Sequence, residues 1–93
     1  MLRALDRAYR DRGLSIVGIS VQETNAADVA AYVDRYSLGY TVAADLDGDI
    51  FRHYRVYVLP TQFFIRPDGR IASLILGPLD EAAATAQIEA ILP

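Results

Sequence analysis

Cysteine is absent from all 93 residues. That absence excludes disulfides, thiolate nucleophiles and cysteine-ligated zinc together, and it removes the usual compositional clue to redox compartment. Histidine is limited to His53, so no second histidine or cysteine exists to complete a transition-metal set, and no metal or cofactor is expected. An excess of positive charge is missing as well: the formal net charge is −3, which offers no basic stripe for nucleic acid. No apolar run approaches the ~20 residues that cross a bilayer, and Met1-Leu2-Arg3-Ala4-Leu5-Asp6-Arg7 mixes charge with apolar groups as a helix does, not as a signal peptide does. What remains is ordinary globular material. Apolar residues make up 53% of the chain, and residues 1–93 are expected to form a single domain burying somewhat over ~60% of its unfolded surface.

The periodicities alternate between helix and strand. Leu2, Leu5, Ala8 and Tyr9 recur at helical spacing with charge on the other face, and Gly13 stands where a helix end wants a positive φ. No capping residue precedes Leu2. Residues 15–21 are short, β-branched and apolar on both alternating faces, which predicts an interior strand buried on both sides. Thr24 or Asn25 is placed to cap a helix whose Val29, Val33 and Tyr36 share a face, with Gly39 ending it. A strand at 40–44 follows, then the Asp45-Leu46-Asp47-Gly48-Asp49 turn and a short helix with Ile50, Phe51 and Tyr54 inward. Residues 62–66 and 70–76, joined by Pro67-Asp68-Gly69, predict an antiparallel hairpin. Asp80 is placed to cap a last helix with Ile88, Ile91 and Leu92 as its stripe. The tyrosines are expected at the edge of the core.

One stretch is far more specific than the rest. Asp45-x-Asp47-Gly48, an aromatic-containing helix, Val58-Leu59-Pro60-Thr61-Gln62-Phe63-Phe64-Ile65 and then Pro67-Asp68-Gly69-Arg70-Ile71 occur in an order that resembles thioredoxin-like proteins of the TlpA/ResA type (redoxin, AhpC/TSA). The resemblance implies an α/β, thioredoxin-like fold, a mixed sheet flanked by helices, without the N-terminal part that carries the central strand and the Cys-x-x-Cys turn. It implies a cis peptide bond before Pro60, with Leu59, Pro60 and Thr61 as substrate-binding residues that hold an extended peptide or thiol protein. Thiol-disulfide exchange requires a thiolate, so this chain by itself is expected to be redox-inert, and peroxide chemistry is excluded on the same ground. The expectation is a C-terminal part of a TlpA/ResA-like thiol-disulfide oxidoreductase, with the redox cysteines before Met1. A cysteine-free binding or oligomerisation module is the alternative. Relatives of this type usually work outside the cytoplasm; localisation stays open.

In the family the absent strand lies between those corresponding to 15–21 and 62–66, and its loss opens a slot of roughly 10 Å, two strand spacings. Unpaired edges recruit other chains, so a homodimer or higher oligomer formed by strand pairing or exchange is expected. Other constellations carry less. The acidic loop fails as an EF-hand, with Ile50 where glycine is needed and Val56 where glutamate is needed. The serines lack a nucleophile-elbow context. Glu23 is placed at the ligand-binding end of an α/β sheet, and a solvated residue before a helix is the plainer reading.

Overall fold

The computed structural model describes residues 1–20, 26–36 and 39–93. Helix α1 (Leu2–Tyr9) runs into a 3₁₀ turn at Arg10–Arg12, followed by strand β1 (Val17–Ser20), helix α2 (Ala26–Tyr36), strand β2 (Thr41–Ala44) and helix α3 (Asp49–His53). Strands β3 (Thr61–Ile65) and β4 (Ile71–Leu76) and helix α4 (Glu81–Ile91) complete the order. The chain divides into two compact units, Met1–Leu14 with Tyr57–Pro93 and, separately, Ser15–Val56.

In the first unit β3 and β4 pair antiparallel, Thr61 opposite Leu76 and Phe63 opposite Leu74, with an irregularity after Phe64. The Pro67-Asp68-Gly69 turn closes the hairpin for specific reasons. Arg66 N–H donates to Arg70 O at 2.8 Å and Gly69 N–H to Arg66 O at 2.9 Å, which requires the left-handed φ of 89° at Gly69. The Asp68 carboxylate accepts from Arg70 N–H at 2.9 Å. Helix α4 starts at Asp80, whose carboxylate accepts from Ala83 N–H at 2.7 Å, as its position predicts. The helix packs against β3. Leu5, Phe64, Ala84 and Ile88 are the buried apolar side chains, and burying the larger ones stabilises the fold by about 1.5–3 kcal/mol each. Ser73 Oγ donates to the Gln87 side-chain oxygen at 2.6 Å, which ties β4 to α4 as well.

The α1 segment ends in a Schellman arrangement, Leu14 N–H to Tyr9 O and Gly13 N–H to Arg10 O, with Gly13 at φ 100°. Arg12 then grips Glu89 on α4 with two bonds of 3.0 and 3.1 Å, and Tyr9 donates to the same carboxylate at 2.9 Å. One expectation fails on this helix. Asp6 does not lie on the charged face; it is buried at 3% exposure and paired with Arg10 one turn on, because a buried carboxylate needs a cationic partner and the long arginine can reach it from solvent.

In the second unit β1 and β2 pair in parallel, Val17 opposite Thr41 through Ser20 opposite Ala44, and Asp45 N–H continues the ladder to Ser20 O at 2.7 Å. The expectation that β1 is an interior strand is corrected. Among the described residues β2 is its only partner, and Val17 and Ile19 are 58% and 39% exposed, since pairing with one neighbour does not by itself enclose the faces of a strand. Both the parallel and the antiparallel ladder of a mixed sheet are present, as separate two-stranded sheets. Ile50 and Tyr54 point to solvent, contrary to expectation, and only Phe51 on α3 is half-buried; a helix of five residues is too short to turn three side chains onto one buried stripe. Tyr32, Tyr54 and Tyr57 are likewise exposed and do not line a core edge. The expected Thr24 or Asn25 cap, Glu23, and the side chains of Val29 and Tyr36 fall outside the described residues.

Candidate functional site

The three residues singled out for substrate binding lie together because the chain makes an abrupt turn into β3. Tyr57, Val58 and Leu59 are exposed, at 87%, 44% and 51%, an uncommon concentration of apolar surface on consecutive residues. The Leu59–Pro60 peptide bond is cis. Thr61, half-buried, turns its hydroxyl back to donate to Val58 O and closes the turn. Pro60 O accepts from Gly77 N–H at 2.8 Å, which continues the Thr61–Leu76 pairing by one position and fixes the turn to the end of β4. Oriented nitrogen first, the Gln62 amide donates to Ile75 O and Gly77 O at 2.9 and 3.2 Å.

The consequence is that Leu59 forms an exposed ledge between two anchored residues. Among the described residues the N–H and C=O of Leu59 enter no hydrogen bond, while the residues on both sides of it are anchored. An extended chain lying along Leu59 could take up those two groups as a strand does, with the Tyr57, Val58 and Leu59 side chains supplying apolar contact. No charged residue stands between Tyr57 and Ile65. Gly77 and Gln62 are supports that the sequence reading did not identify. Hairpin pairing was the available signal, since Thr61 opposite Leu76 places Pro60 opposite Gly77.

The polar groups of the acidic loop are engaged structurally. Both oxygens of the buried Asp45 accept main-chain bonds at the start of α3, Oδ1 from Ile50 N–H at 3.2 Å and Oδ2 from Phe51 N–H at 2.9 Å. Asp49 pairs with Arg52, and Arg52 also donates to Asp47 O at 3.1 Å. The acidic loop therefore works as turn and cap, and no cluster of metal-ligating groups occurs among the described residues. His53 is exposed, its Nδ1 3.0 Å from Asp49 O.

The AhpC/TSA family model matches residues 1–74. The thiol-disulfide oxidoreductase ResA of Oceanobacillus iheyensis is 32% identical over 71 residues, 76% of this chain and 36% of that protein. ResA of Bacillus thuringiensis subsp. konkukian is 38% identical over 69 residues, 74% of this chain and 39% of its own length. A solved thiol:disulfide interchange protein of the thioredoxin family from Chlorobium tepidum superposes with a TM-score of 0.82 at 25% identity, covering 99% of this chain and 66% of that one. The matched part is thus 36–39% of the length of these two ResA proteins, and about half of others such as ResA of Bacillus anthracis.

Proposed function

This chain belongs to the AhpC/TSA family, as a thioredoxin-like protein of the ResA type, and from that premise we propose that it is the peptide-holding part of a thiol-disulfide oxidoreductase. The parent activity is disulfide exchange with a thiol protein. Leu59 offers its main chain to an extended segment, Pro60 and Thr61 set the turn that exposes it, and the exchanging thiols come from outside these 93 residues. The observation that supports this reading best is the pairing of an exposed Leu59, its N–H and C=O unused among the described residues, with a total lack of cysteine. These residues cannot exchange disulfides without a thiolate, whereas holding a substrate needs none. An extracytoplasmic setting, where protein disulfides persist, fits the same chemistry. Among the described residues no helix is long and apolar enough to cross a membrane.

Two assays test the reading. The purified chain should neither accelerate insulin reduction by a dithiol nor consume peroxide above a buffer blank. Fused to the redox-cysteine segment of a ResA relative, it should gain disulfide exchange, and Leu59→Asp in that fusion should lower kcat/KM about tenfold, equivalent to ~1.4 kcal/mol, while Leu59→Met stays close to the parent. Turnover by the isolated chain, or a folded fusion with no activity, would refute the proposal.

A further inference from the structure

Thr61 stands between two residues that hold the same glycine. Pro60 O accepts from Gly77 N–H at 2.8 Å, and the Gln62 amide nitrogen donates to Gly77 O at 3.2 Å and to Ile75 O at 2.9 Å. One side-chain nitrogen therefore directs both of its hydrogens at the end of β4. Gln62 is half-buried and shares a face of β3 with the buried Phe64, a position where an amide without partners would be costly.

The end of β4 is otherwise lightly fixed. Gly77 leaves the extended run at a left-handed φ of 84°, and an added Cβ there would meet nothing within 4 Å. Pro78 has no N–H with which to continue the ladder. Packing on that side does not hold Gly77; its N–H bond to Pro60 and the bond its C=O accepts from Gln62 do. Pro60 follows Leu59 directly, so a shift of Gly77 is passed to the turn that presents the Leu59 main chain.

We propose that Gln62 is a positioning residue for substrate holding: by fixing the end of β4 it keeps Pro60 O on Gly77 and so keeps the Leu59 N–H and C=O set for an extended segment. The inference rests on the role given above to Leu59. A substrate that meets main-chain groups already in place has less to order on binding. Gln62 acts through Gly77 and Pro60 and touches no substrate, so its loss belongs in KM and not in the exchange step.

The test uses the fusion of this chain to the redox-cysteine segment of a ResA relative, with two substrates. Insulin has chains that can lie along Leu59, whereas cystamine is a small disulfide with no peptide main chain. Gln62→Met keeps the side-chain length without a donor, and Gln62→Glu turns carboxylate oxygens towards two carbonyls. Each should raise KM for insulin about five- to tenfold with kcat within about twofold of the parent. Turnover of cystamine should stay within about twofold. Ser73→Ala, which removes the bond to Gln87 on the same hairpin, is the structural control: it should lower the melting temperature and leave both KM values in place.

An active fusion in which both Gln62 variants keep the parent's KM for insulin would overturn the inference and leave the proposed function standing. So would variants that slow both substrates equally, since that is a general loss of structure. A folded fusion inactive on both substrates would refute the proposed function, and this inference with it. If both variants unfold, NMR of the unaltered chain decides, through exchange of the Gln62 side-chain amide hydrogens with and without carbamidomethylated insulin B chain. Exchange that slows further with the peptide supports the positioning role, and exchange that the peptide leaves unchanged refutes it.

Discussion

Glu89 does more for the first unit than its exposed position suggests. It takes two bonds from Arg12 and one from Tyr9, and the Arg12 guanidinium also lies 5.2 Å from the Tyr9 ring centroid, so two side chains of the α1 segment converge on one carboxylate of α4 through three bonds. The Arg12 bonds, then the Tyr9 bond, hold its pKa below the usual carboxylate value. A depressed carboxylate pKa contributes stability above the unfolded value, near 4.3, and loses it as pH falls through the folded value. Glu89→Gln should therefore lower the melting temperature at pH 7, and the difference should shrink on titration below about pH 4. It should also shrink in high salt, because the pair is exposed. Tyr9 moves the other way: its hydrogen bond to Glu89 raises its pKa, so its contribution is complete below about pH 10 and fades as pH climbs past it.

Among the elements, α3 depends most on its ends. Five residues cannot sustain a helix by propensity, and both termini are fixed from outside the helix proper. At the start, Asp45 accepts from Ile50 and Phe51 N–H; Asp45→Ala should cost about 1–2 kcal/mol in chemical denaturation, whereas Asp45→Asn should cost less. At the finish, Arg55 N–H donates to Arg52 O and Val56 N–H to Phe51 O, the Schellman pattern, with Arg55 in the left-handed position at φ 53°. Glycine takes that position without steric cost, so Arg55→Gly should stabilise the unit by roughly 0.5–1 kcal/mol. Gly13→Ala should do the opposite at the equivalent site after α1, where an added Cβ would also come within 3.0 Å of Pro93 Cγ. At the entrance to β3, Thr61→Val should cost about 0.5–1.5 kcal/mol through the lost bond to Val58 O.

At the scale of the whole molecule the two units are unequal. Among the described residues the buried apolar ones, Leu5, Phe64, Ala84 and Ile88, all belong to the first, and those of the second bury only Asp45 to that degree. Local opening is governed by buried apolar contact, so amides of β1 and β2 should exchange with solvent faster than those of β3 and β4, measured residue by residue by NMR. Equal protection in the two sheets would contradict this.

The sequence by itself determined the element order, the hairpin turn, the Gly13 and Asp80 helix ends and the family, because each depends on local geometry: a glycine at positive φ, a carboxylate beside free amides, a two-residue period beside a 3.6-residue one. It also excluded a thiolate from these 93 residues, since no fold supplies a thiol that a sequence lacks. Tertiary structure alone decided which apolar residues are buried. Residues 15–21 have the pattern of an interior strand, yet Val17 and Ile19 remain exposed, because burial depends on what lies across a face and a strand's own alternation cannot specify its neighbours. The same dependence put Asp6 inside with Arg10, and made Gly77, through a main-chain bond invisible to side-chain patterning, the anchor of Pro60.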